Sequence, residues 1–125
     1  MRLTITTAIQ ARWAHRVDDL IHSHAWTVGA TVEGEPDCDK VVPADDLERI
    51  LFDTVKPWTG HYLTHEDVGP WRHLGPLVWA REPTVEEIAR QLWAEIAPQV
   101  PDLVEVSLEE SHEFDRCRTV RLSRD

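Results

Sequence analysis

Two runs of alternating residues set the strongest constraint on how this chain folds. Over residues 3–15, Leu3, Ile5, Ile9, Ala11, Trp13 and His15 share one face, opposed to Thr4, Thr6, Gln10 and Arg12. Residues 22–33 repeat the pattern, with His22, His24, Trp26, Val28, Ala30 and Val32 opposed to Ser23, Thr27, Thr31 and Glu33. A period of two sends alternate side chains to opposite faces of a half-buried strand. Only residues 16–21 separate the runs, so they read as arms of one hairpin. His15, His22 and His24 then continue the apolar faces and cluster at one end of a core-facing surface. Neutral imidazole is the commonest protein ligand for zinc, and three protein ligands leave a fourth position open, as in catalytic sites. The three histidines mark a candidate centre for zinc or another divalent transition metal.

Further along, the period changes. Leu47, Ile50, Leu51, Thr54 and Trp58 recur at three- and four-residue spacing, which predicts a helix with Pro43 in its first turn and an end near residues 57–60. Thr84-Val85-Glu86-Glu87, after Pro83, is a capping-box signature. It opens a second amphipathic helix through Val85, Ile88, Ala89, Leu92 and Ile96, closed by Pro98 and Pro101. Residues 103–109 alternate again, with Val104, Val106 and Leu108 on one face, and residues 117–122 suit a last strand. Between the helices, residues 61–82 read as one long irregular segment, a kind of loop that often carries function. It holds His61, His65, His73, Trp71 and Trp79. The tryptophans, with Trp58, are expected to pack the core, an aromatic lid over a substrate being the other use. The order strand, strand, helix, helix, strand, strand predicts an α+β chain with a four-stranded sheet, in one domain spanning residues 1–125.

Charge narrows the partners. Thirteen Lys and Arg against 23 Asp and Glu give a net charge of −10. Nucleic acid and anionic membranes attract positive potential, so neither is expected as a partner. Cys38 and Cys117 are too few for a disulfide framework, which points to a reducing cytoplasm. The start, Met1-Arg2-Leu3-Thr4, lacks the apolar stretch of a signal peptide, and no apolar run approaches a membrane span. A small-molecule substrate is the partner expected.

Five pieces, in order, carry a resemblance: Trp13-Ala14-His15-Arg16, His22-Ser23-His24, Gly60-His61-Tyr62-Leu63, Pro83-Thr84-Val85-Glu86 and Val106-Ser107-Leu108-Glu109-Glu110-Ser111. Together they resemble the 6-pyruvoyltetrahydropterin synthases and their bacterial relatives, the 6-carboxytetrahydropterin synthases of queuosine biosynthesis. The resemblance implies the T-fold, an antiparallel sheet with two helices on one face. It also implies a homo-oligomer, trimer or hexamer, whose sheets join into a barrel with active sites between subunits. It assigns zinc to His15, His22 and His24, a catalytic role to His61, and substrate binding to Glu110. That carboxylate would hold the guanidine-like edge of a pterin ring through two parallel N–H bonds.

The chain departs from that pattern at the proton-transfer residues. The family's cysteine between the first ligand and the His-x-His pair is missing from residues 16–21, and Cys38 and Cys117 do not match it. Gly60 stands where an aspartate orients the catalytic histidine, and Pro43 where another aspartate follows the second strand. The expectation is a divergent, metal-dependent lyase or cyclase acting on a pterin-like or other aromatic-ring substrate. Its altered acid/base set would draw on Asp18, Asp19, His61, His65 or His73. The alternative is a non-catalytic T-fold protein for ligand binding or assembly that keeps the metal for structure.

Overall fold

The computed structural model describes residues 2–18, 20–35, 43–66, 75–112 and 116–124. Its frame is the hairpin of β1 (Leu3–Val17) and β2 (Leu20–Gly34), paired without a break from Leu3↔Gly34 to Val17↔Leu20. The strands therefore run further toward each other than their alternation predicts, leaving a two-residue turn. Such turns match the twist of the strands only with positive φ, and Asp18 adopts φ 53° there. Aspartate tolerates that left-handed conformation better than most residues.

β5 (Leu103–His112) pairs antiparallel with β2, and β6 (Arg116–Ser123) with β5. The register between β2 and β5 shifts beside Thr31 and Val32, so Thr31 faces Glu105 while Val32 faces Leu103. This bulge changes which face the strand's start presents. Leu103, Val106 and Leu108 are buried, and Val104, expected on the core face, is only partly so.

The expected four-stranded sheet has six strands, in the order β4-β3-β1-β2-β5-β6. The two additions come from the segment predicted to be irregular. β3 (Tyr62–Thr64) runs parallel to β1, and β4 (Pro76–Val78) parallel to β3. Three residues are too few to display a period, and Pro76 would argue against any strand except an edge, which β4 is. The chain reaches β3 from α1 (Ala44–Val55) through a turn at Gly60, φ 79°, whose N–H donates to the Arg12 carbonyl.

Both helices, α1 and α2 (Val85–Ile96), pack on one face of the sheet. Leu47, Leu51 and Val55 of α1 and Ile88, Leu92 and Ile96 of α2 meet Ile9, Trp26, Val28, Val32 and Leu108 in one core. Thr84 caps α2, its hydroxyl accepting from the Glu87 N–H at 3.2 Å, as the capping signature requires. Pro43 is the N-cap of α1 and not a first-turn residue. Trp13 stacks on Trp26 with centroids 4.9 Å apart, and Trp58 meets Trp13 and Trp79 edge-on. Those two tryptophans of the expected packing set thus pack as foreseen, while Trp71 lies outside the described residues. No helix is long and apolar enough to cross a membrane among the described residues.

Removing the buried side chain of Leu92 by Leu92→Ala is expected to cost about 2–5 kcal/mol. Thr84→Ala, which removes only the cap, is expected to cost about 1 kcal/mol. Urea unfolding checks both as shifts of midpoint at constant slope.

Candidate metal centre

The buried face of the hairpin ends in polar residues. His15 continues the row of Ile9 and Trp13, and His24 the row of Trp26 and Val28. Glu110 continues Val106 and Leu108 on β5 and lies across from Trp26. All three are buried: His15 is 4% exposed, His24 8% and Glu110 3%. A charge or polar group so deep is costly unless paired.

The pairing is specific. His15 Nδ1 lies 2.8 Å from the Pro83 carbonyl oxygen, and His24 Nδ1 3.1 Å from that of Ser111. A carbonyl only accepts, so Nδ1 is the donor in both rings and the neutral ring's lone pair sits on Nε2. The two Nε2 atoms face one carboxylate oxygen, Oε2 of Glu110, at 3.2 Å from His15 and 3.8 Å from His24. One ligand atom from each residue falls within 4.8 Å of the others.

This donor set fits a divalent metal. Lone pairs converging at such distances repel unless a cation or a shared proton lies among them. Ligand atoms on a tetrahedral zinc stand about 3.3 Å apart, close to the His15–Glu110 separation of 3.2 Å and shorter than the 3.8 Å from His24 to Glu110. A ligating histidine usually donates its other N–H to a carbonyl or carboxylate, which fixes its tautomer, and both rings do so here. Trp26 braces them, with its ring edge-on to His15 at 5.1 Å and to His24 at 5.4 Å.

Of the expected ligands, His15 and His24 come together and His22 stands at their edge. His22 pairs with His15 in the hairpin register, so both project from the same face. It is exposed, with its ring 5.9 Å from that of His15 and parallel to that of His24 at 5.8 Å. Glu110, expected to bind substrate, is in reach of both imidazoles.

A cavity of about 290 Å³ opens over this cluster. Beside the three histidines and Glu110, its wall includes Asp18 from the hairpin turn, Thr84 and Glu86 from the start of α2, and Arg118 from β6. His61 does not line it. The His61 ring is exposed and held by its Nδ1 against the Gly75 carbonyl at 3.1 Å, where a Cβ on residue 75 would come within 2.7 Å of Nδ1. His65 lies 3.5 Å from Glu66, away from the cavity wall. Asp19, Cys38, His73 and the side chain of His112 lie outside the described residues.

Sequence reasoning missed three contributors: the Pro83 and Ser111 carbonyls and Arg118. Backbone carbonyls leave no residue signature. Arg118 lies opposite Glu110 in the β5–β6 register, a pairing that the composition does not state.

Comparison with known proteins agrees with the architecture. The family model described as 6-pyruvoyl tetrahydropterin synthase matches residues 5–119. Among curated proteins, none matches in sequence. The 6-pyruvoyl tetrahydropterin synthase of Plasmodium vivax has a similar structure, with TM-score 0.68, 15% identity, and 99% of each chain covered. That of Caenorhabditis elegans gives 0.68 at 16% identity, over 98% of this chain and 97% of the other. An uncharacterized protein from Wolinella succinogenes gives 0.75 at 13% identity, over 100% and 99%. With nearly its whole length matched by the family model and the same fold in those structures, the chain belongs to the 6-pyruvoyl tetrahydropterin synthase family.

Proposed function

We propose that this protein is a metal-dependent enzyme of the synthase type, a lyase or cyclase acting on a pterin-like or other aromatic-ring substrate. The observation that carries the reading is the convergence of two Nδ1-anchored imidazoles and a buried carboxylate on one cavity, in a chain of this family. His15 and His24, with His22 from the adjoining position, would hold the ion, with zinc the leading choice for a nitrogen ligand set. When bound, the metal supplies Lewis acidity to an oxygen of the substrate.

The other steps belong to side chains. Glu110 is the acceptor for the ring. Of the carboxylates on the cavity wall, it alone is buried, where two N–H bonds to it gain most from the absence of competing water. Asp18 takes the place of the missing cysteine as base, its carboxylate oxygen accepting a proton from the substrate. Its turn conformation carries it to the cavity wall. A carboxylate among the catalytic residues has precedent in the fold, since a solved mutant of the Plasmodium vivax synthase replaces a catalytic glutamate with alanine. His61, exposed and outside the cavity of its own chain, is assigned to the cavity of a neighbouring copy in a homo-oligomer.

Three outcomes are expected. Protein prepared without a histidine tag carries one equivalent of transition metal, read by plasma emission spectrometry. His22→Ala then weakens metal binding more than the roughly 100-fold that losing an outer hydrogen-bond partner costs. Glu110→Gln keeps the metal and loses affinity for pterin. Loss of metal in Glu110→Gln with retention in His22→Ala would instead make Glu110 the third ligand.

Asp18→Asn, which also tolerates the turn's positive φ, is expected to lower kcat about 100- to 10,000-fold with metal content unchanged. Assayed with dihydroneopterin triphosphate, an unchanged rate would remove Asp18 from the mechanism. Absence of any metal-dependent product from the wild type would favour the ligand-binding alternative.

Mixing Asp18→Asn and His61→Ala chains tests the shared site. If the two residues meet across an interface, equal random mixing restores about one quarter of the sites. If both act within one chain, mixing restores nothing.

A further inference from the structure

The cavity wall holds one feature that neither metal nor ring recognition uses. Arg118 is exposed on β6, opposite Glu110 in the strand register. Five other arginines of this acidic chain are set against carboxylates: Arg2 on Glu33, Arg16 on Glu66, Arg49 on Asp46, Arg90 on Glu87 and Arg121 on Glu105, while Arg12, Arg81 and Arg124 make no ion pair among the described residues and lie outside the cavity wall. Arg121 is three residues along the same strand. A directly opposed Arg and Glu would ordinarily close into such a pair. Here Glu110 Oε2 turns to the imidazoles at 3.2 and 3.8 Å. Arg118 makes no ion pair among the described residues, and it is the one arginine of the cavity wall among them.

We propose that Arg118 is a specificity residue that recognises an anionic substituent, carboxylate or phosphoryl, carried by the ring-bearing substrate. The proposal rests on the ring-and-metal reading of the same cavity. A guanidinium offers a planar fork of N–H donors that matches either anion through two parallel bonds. Its place in the row beside Glu110 sets the arrangement of the ligand: the ring edge on the carboxylate, the anionic arm toward β6. The cavity's other walls carry Asp18, Glu86 and Glu110, which repel an anion placed elsewhere. One orientation is therefore favoured and the reversed one opposed.

Calorimetric titration of the metal-loaded protein with pterin, pterin-6-carboxylate and inorganic phosphate tests this, in the wild type and in Arg118→Gln and Arg118→Lys. The wild type is expected to bind pterin-6-carboxylate roughly 10- to 100-fold more tightly than pterin, the range of a charge-assisted hydrogen bond. Arg118→Gln should erase that ratio while pterin affinity changes less than about twofold, and Arg118→Lys should fall between, keeping the charge without the fork. Phosphate binding that disappears in Arg118→Gln would add phosphoryl groups to the anions read. A carboxylate preference that is absent from the wild type, or that survives Arg118→Gln, overturns the proposal and leaves ring recognition standing. If neither pterin ligand binds the wild type, the ring reading fails. Arg118 is then judged on phosphate alone, and binding that is absent or insensitive to Arg118→Gln overturns it.

Discussion

The register of one hairpin governs the rest of the structure. β1 and β2 pair residue for residue from Leu3↔Gly34 to the Asp18 turn. Because side chains alternate, a slip of one residue would move the slipped strand's core residues to the open face. It would equally move that strand's histidines, His15 on β1 or His22 and His24 on β2, out of the cavity. Core and candidate site are therefore specified by the same set of hydrogen bonds, and Trp26 joins them. Trp26 stacks on Trp13 below, donates its indole N–H to the Trp13 carbonyl at 3.0 Å, and meets both buried imidazoles with its ring edge.

The remaining elements close this frame from the sides. β5 brings Glu110 across from Trp26, while the Ser111 carbonyl holds His24. The start of α2 does two things at once, since Thr84 caps the helix and the Pro83 carbonyl just before it holds His15. The position of α2 is set by Ile88, Leu92 and Ile96 in the core. Packing far from the cavity thus fixes the tautomer of a histidine inside it.

What was legible in the sequence follows from which features repeat. Long alternating or helical runs expose their period, so β1, β2, α1 and α2 were readable, and so was the end of the sheet at which the histidines gather. β3 and β4 were not, because three residues show no period and their neighbours Gly60, Gly75 and Pro76 read as loop. Val104 was misplaced because a bulge breaks parity without any residue that announces it. In the site, the residue types were legible but not their distances. Glu110 was chosen by family resemblance, and its approach to the imidazoles comes from the β2–β5 register and side-chain geometry. His61 illustrates the converse: its motif is in place, yet its ring packs on Gly75 and does not line the cavity of its own chain.

One consequence of the Trp26 junction concerns energetics more than chemistry. Any ion or ligand that engages His15 and His24 grips the two strands on which the whole core is assembled. Its binding free energy is then felt as global stability by mass action, about 2.7 kcal/mol at a free concentration one hundred times Kd. Since domains of this size unfold for roughly 5–15 kcal/mol, occupancy of the cavity and persistence of the fold are thermodynamically coupled, and cellular supply of the ligand would regulate how much of this chain survives.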